Sequence, residues 1–314
     1  MSSPRHPRTP PEPRRRTAAE VIASARELVE RDPVAALERV RGALALSGSA
    51  RTRAWVAAVT VRGMLYTGRT AEALAAARPL PRRFRTLGEH AGAAYVLTDI
   101  SALLMGTGNL QGAASASAEG LAAAQRGRDR ACQAHLLQNR AVVSILAHDL
   151  TRAEHEARAG LEVTYELGAD QETSHFQLAE IRLLRLSAEP WRADRDRLVE
   201  EALHHAELGL LHAGPGRLMV EALRWRTEAL AWAGESGAAL DLGLQASHLA
   251  DPGDAEAVAT GRLSRAVGYA AAGMRGEAIG TIREAAAGAA PGSWTSIDAR
   301  RVERDLFSGA LGSG

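Results

Sequence analysis

Residues Leu65–Ala77 read LYTGRTAEALAAA, and this stretch decides the fold. Leu65–Thr67 end one helix. Gly68 supplies a left-handed turn that only glycine adopts without steric cost. Ala73 then falls in the first turns of a second helix. The same arrangement returns about every 40 residues, as MGTGNLQGAASA around Gly108, LAHDLTRAEHEA around His148, AWAGESGAALDL around Gly234 and AAGMRGEAIGTI around Gly273. Self-similarity at a fixed period of this length marks an array of stacked supersecondary units.

The small residue gives the count. Ala36, Ala73, Ala113, Ala153, Ala239 and Ala278 follow one another at steps of 37, 40, 40, 86 and 39. A larger side chain there would push two helix axes beyond the usual spacing of about 8–10 Å. The long step hides a degenerate unit in which Glu189-Pro190-Trp191 supplies the turn. The pattern predicts helices over 17–30 and 33–46, 50–67 and 70–85, 88–106 and 110–126, 128–147 and 150–168, 171–188 and 190–212, 216–233 and 236–250, and 254–272 and 275–289, with a last helix over 294–308. Thr17 with Glu20 has capping-box spacing, and Asp32-Pro33 reads as an N-cap followed by proline at the first helical position. The expected fold is all-α, a right-handed α-solenoid of about seven helical hairpins plus a C-terminal capping helix.

Composition agrees. Hydrophobic residues make up 46% of the 314, dominated by Ala and Leu, while aromatics are only 4%. Ala and Leu favour helices, and sheets would want β-branched and aromatic residues. The expected organisation is a Pro/Arg-rich disordered arm over 1–16, the repeat array over 17–290, and a capping helix with a flexible tail over 291–314. On the last helix, Val302, Leu306 and Phe307 form an apolar stripe suited to covering the end of the array.

The net charge is +1, and every basic residue is Arg. This balance provides no field for nucleic acid or an anionic membrane. Cys132 is the only cysteine, which excludes a disulfide framework and a cysteine-based metal cluster. No run of apolar residues is long enough to span a membrane, and no secretory leader is visible. A cytoplasmic protein is expected.

The motif Gly-x-x-x-Glu-Ala-Leu/Ile, present as Gly68…Glu72-Ala73-Leu74 and Gly273…Glu277-Ala278-Ile279, resembles the tetratricopeptide repeat (TPR) superfamily. Tyr269 is the best remnant of the aromatic usual in the first helix. The period of 40 in place of 34 is similar to the divergent TPR-like arrays of actinobacterial regulators, such as the sensor arms of large ATP-binding regulators and the N-terminal arms of CHAT-protease proteins. The resemblance implies a regulatory or scaffolding role, a concave face lined by first helices, and a ligand that is a peptide, a protein segment or a small effector.

Eighteen residues before successive ladder alanines stand Trp55, Tyr95 and His135, and one further step reaches His175. Neighbours three or four residues along the same helices share their face: Arg62, Tyr66, Asp99, Gln138, Asn139 and Arg182. The following hairpin adds Glu221, Arg224, Trp225 and Glu228. These fourteen are the expected ligand-binding residues. No catalytic, metal-binding or cofactor motif is present. The alternative is a small-molecule-processing enzyme on the same scaffold, with His135 and His175 acting together. His204, His205 and His212 cluster on one helix, where only His205 and His212 share a face. An exposed end-hairpin or the concave face offers a surface on which two copies could pair as a homodimer.

Overall fold

The computed structural model describes residues 16–29, 32–169, 171–289 and 294–309. All but one residue of the expected arm, and residues 310–314 of the tail, lie outside the described residues. Helices alone make up the regular structure among those described. They group into two compact units, Met1–Gly88 and Glu89–Gly314.

In the first unit, α1 (Ala18–Leu28) pairs with α2 (Pro33–Leu46), and α3 (Ala50–Tyr66) is followed by α4 (Thr70–Ala77) and α5 (Leu80–Thr86). The caps are those the sequence predicts. Thr17 Oγ1 accepts from the Glu20 amide at 3.2 Å and Glu20 returns to the Thr17 amide at 2.7 Å. Asp32 accepts from the Ala35 amide at 2.9 Å, with Pro33 opening the helix. The helix expected over 70–85 is instead two. Pro79 and Pro81 each lack the N–H that a continuous helix needs, so the chain breaks after Ala77 and restarts at Leu80.

In the second unit, the hairpins are α6 (His90–Gly106) with α7 (Leu110–Gly127), α8 (Arg130–Leu146) with α9 (Leu150–Leu167), and α10 (Glu172–Ala188) with α11 (Arg195–His212). Then come α12 (Arg217–Ala233) with α13 (Ser236–Leu249) and α14 (Ala255–Ala271) with α15 (Arg275–Gly288), and α16 (Trp294–Phe307) closes the series. α11 begins five residues later than the sequence suggests, because the turn at Pro190 extends through Asp194.

The ladder is regular to the residue. Each of its six alanines is the fourth residue of its second helix, and each is wholly buried. The degenerate unit keeps the position and changes the residue: the fourth residue of α11 is Leu198, also buried. Five residues before the alanine, Gly68, Gly108, Gly234 and Gly273 have φ between 74° and 79°. His148 holds the same place with φ 59°, a conformation that costs a residue with a Cβ about 1–2 kcal/mol.

First helices of the second unit touch in succession, α6 to α8 to α10 to α12 to α14 to α16, while second helices pack beside them. The middle turns of α6 and α10 are therefore buried on nearly every side. Every residue from Gly92 to Ser101 and from Ser174 to Leu183 is buried. Between α13 and α14 the two backbones themselves meet. A Cβ on Gly268 would lie 2.9 Å from the carbonyl oxygen of ladder residue Ala239, and one on Gly243 would lie 2.7 Å from the Ser264 carbonyl oxygen.

This contact predicts opposite effects from one substitution at two glycines. Gly268→Ala should cost about 1–3 kcal/mol by overpacking against fixed backbone. Gly280→Ala, mid-helix in α15 with open space around it, should stabilise by about 0.5–1 kcal/mol. Urea unfolding of the two variants measures both.

Candidate functional site

The polar residues of the first helices form a seam that joins each helix to the next. Asn139 Nδ2 donates to the Thr98 carbonyl at 3.1 Å, linking α8 to α6. Gln138 Nε2 donates to Ser174 Oγ, and Gln177 Nε2 to the Gln138 carbonyl, both at 3.1 Å, linking α8 and α10. Ser264 Oγ donates to Thr227 Oγ1 at 3.0 Å between α14 and α12, and Thr260 and Thr295 meet at 3.0 Å between α14 and α16. Each bond satisfies a group that would otherwise be buried at a cost of about 1–3 kcal/mol.

At the far end of the unit, the seam becomes a charge network. Glu228 is wholly buried on α12. Arg301 of α16 grips it with two bonds, of 2.6 and 2.8 Å, and Arg224 adds a third at 2.5 Å. Arg224 and Arg301 each also reach Asp298 at 2.6 Å. Arg301 extends to Asp305 at 3.2 Å, and Asp305 accepts from Ser187 at the end of α10 at 2.8 Å. Burial pushes the Glu228 carboxyl up, but Arg301 and then Arg224 outweigh it and hold it well below the usual carboxylate range. Glu180 is raised well above that range by burial, with the charge of Asp298 adding to it. Asp305 is also raised above its ordinary value, chiefly by burial.

The expected ligand-binding residues thus fall into distinct settings. In the first unit, Trp55 is buried, edge-on to Phe84 at 5.1 Å with the Arg26 guanidinium 4.7 Å above its ring. Arg62 is also buried, and Tyr66 is exposed. In the second unit, Tyr95, Asp99, Gln138, His175, Arg182, Arg224, Trp225 and Glu228 are all buried. His135 is exposed, Asn139 is half-buried, and Glu221 pairs with Arg217 at 2.9 Å. Arg182 spans α9 to α11, bonding Glu154 at 2.7 Å and Glu201 at 2.5 Å. Burial alone would raise Glu154, but Arg182, with Arg158 and Arg185, holds it down at about 2.

His175 turns toward α11. Its Nδ1 lies 3.2 Å from Nδ1 of His205, and the His212 ring stacks on it at 6.4 Å between centroids. His175 is therefore paired with a histidine of the second helix, outside the first-helix register that holds His135. Among the described residues no group of three or more His, Cys, Asp or Glu side chains is placed to hold a metal ion.

One recess of about 280 Å³ opens where α7 and α9 flank α8. Leu110, Ala114, Ala118, Val143 and Ala147 give it an apolar wall, and Gln111, Arg140, Ser144, Asp149 and Arg152 bring polar groups to it. Behind it sits Glu156, buried, accepting from Arg140 Nε at 2.9 Å, Arg152 Nε at 3.1 Å and Ser144 Oγ at 2.7 Å.

No family model and no curated protein matches the chain. Solved structures do match. A tetratricopeptide repeat protein from Parabacteroides merdae superposes with a TM-score of 0.51 at 14% identity, over 93% of this chain and 98% of that one. A Rap protein complexed with competence and sporulation factor gives 0.61 at 11% identity, over 93% and 79%. The fold is TPR-like. A chain of the APC/C hetero-tetramer Cut9–Hcn1 agrees, with a TM-score of 0.56 at 15% identity over 94% of this chain and 53% of that one. At these identities the likeness is one of architecture.

Within this TPR-like array, sequence reading missed Arg140, Arg152 and Glu156, and also Asp298, Arg301 and Asp305. The last three had a visible signal, since their spacing of three and then four residues puts them on one helix face. That face was obscured by the apolar stripe beside it. Val302 and Leu306 are buried, but Phe307 is exposed, with the Arg275 guanidinium 5.6 Å from its ring centre. No helix among the described residues is long and apolar enough to cross a membrane.

The histidine pair gives the array a pH dependence. Burial is the main cause that lowers both His175 and His205 to about 4, with neighbouring histidines adding to it and Arg182 acting on His205. The unfolded chain takes up these protons near the ordinary value of about 6.5, while the folded chain refuses them. Stability should therefore be full above pH 6.5, fall between about 6.5 and 4, and lose no more from this pair below that. Urea midpoints at pH 7.5 and 5 check it, and His205→Gln should make the decline shallower.

Proposed function

We propose that this protein works by binding: it holds a peptide, a protein segment or a small effector on its TPR-like array, in a regulatory or scaffolding role. The contact falls at the recess between α7, α8 and α9. The observation that carries this reading is a contrast in how polar groups are used. On the first-helix layer of the second unit, Gln138, Asn139, Arg182, Arg224 and Glu228 are engaged by other residues of the chain. At the recess, Arg152 commits only Nε to Glu156 as a side-chain donor, and it is more than half exposed beside an apolar wall. A concave apolar surface with a few convergent polar groups is the usual form of a ligand site. Two of the structural neighbours were solved in complexes, Rap with competence and sporulation factor and Cut9 with Hcn1, which supports a binding role for this architecture. The first-helix residues His135, which is exposed, and Asn139, which is half-buried, are the competing contact.

Capture from a host lysate separates the two surfaces, with bound proteins and small molecules read by mass spectrometry. The baits are the intact chain, Ala114→Trp to fill the recess, and the double variant His135→Ala/Asn139→Ala. Circular dichroism confirms that each stays helical. A ligand held by the intact chain and the double variant but lost by Ala114→Trp is the expected result. Retention by Ala114→Trp with loss by the double variant would move the site to the first helices.

A further inference from the structure

The recess carries enough chemistry to name its ligand class, and this inference rests on reading it as the binding surface. Glu156 anchors two guanidiniums through a single oxygen: Arg140 Nε and Nη2 at 2.9 and 2.8 Å, and Arg152 Nε at 3.1 Å, all meet Oε1. Ser144 holds the other oxygen. Each guanidinium has five N–H donors in a fixed fork. Arg152 has spent one and Arg140 two, so donors from both remain at the wall that these residues line.

Charge limits what they can receive. Arg140 and Arg152 are matched by Glu156 and by Asp149, which caps α9 through the Arg152 amide at 3.1 Å. The lining is formally neutral, so a dianion would leave two uncompensated charges and a monoanion only one. Both carboxylates already have donors, while the guanidiniums keep theirs. Bidentate pairing suits a carboxylate well. Besides the Gln111 amide, the remaining wall consists of Leu, Val and Ala side chains, which favour an apolar body over water. The volume of about 280 Å³ lies just below the range of about 300–1,000 Å³ typical of drug-sized ligands, so that body is short.

We propose that the recess binds a small aliphatic carboxylate, with the carboxylate between Arg140 and Arg152 and the chain against Ala114, Ala118 and Val143. Titration calorimetry on the full chain tests it with three probes. Isovalerate has the charge and the body, isovaleramide the body alone, and inorganic phosphate the charge alone. Isovalerate should bind at least tenfold more tightly than either of the others. Arg152→Gln and Ala118→Leu, which fills the exposed wall, should each weaken it at least tenfold; Ala118→Leu should do so without moving the urea midpoint, and Arg152→Gln while keeping the helical circular dichroism signal. Equal binding of isovalerate and phosphate would overturn the assignment by showing an unspecific anion site. Failure of isovalerate to bind would overturn it too. If Ala114→Trp still loses its captured ligand in that case, the recess remains the binding surface and only the ligand class is wrong. If Ala114→Trp loses nothing, both readings fall.

Discussion

A carboxylate with no access to water must find a counter-charge, and Glu228 organises the second unit around that requirement. Its two oxygens are held by Arg301 and Arg224, and through them by Asp298 and Asp305. α16 belongs to the end of the array by sequence, yet it is tied to α12 by three carboxylate–guanidinium contacts and to α10 through Ser187, more than a hundred residues earlier. Removing one partner of such a network leaves a buried charge unpaired, which costs far more than the network contributes while whole. The network therefore fixes which helices meet. The apolar residues around it, among them Trp232, Leu183 and Val302, supply the bulk of the burial.

The same economy of space appears along the ladder. Alanine at the fourth position of six second helices, with glycine on α13 and α14, lets backbones approach where any larger side chain would intrude. That feature was legible in the sequence because close approach selects for residue size, and size is read directly. The period, the hairpin count, the caps at Thr17 and Asp32, and the glycine turns were legible for similar local reasons. The break at Pro79 was legible too, but a strongly helical composition on both sides masked it.

The candidate site was much less legible. A register argument places side chains on a face, but it cannot say whether that face looks onto solvent or onto another first helix. Tyr95, Gln138, Arg182, Arg224 and Glu228 do share the first-helix layer as expected, and packing closes that layer over them. The degenerate unit at α10–α11 shifts the start of α10 relative to α8, so the 40-residue step lands on His175 where the matching place in the helix is Gln177. His175 then faces His205. The recess depends on Arg140, Arg152 and Glu156 converging from two helices, and no sequence period joins them.

Glu228 and Arg301 act as one unit where α16 meets α12, and a double-mutant cycle measures that coupling. Urea unfolding would be measured for Glu228→Met, Arg301→Met and the pair. Each single variant should lose about 3–5 kcal/mol, with the double losing much less than their sum, because it removes both charges together. Losses that simply add would contradict it, and would mean that the two residues stabilise the fold independently.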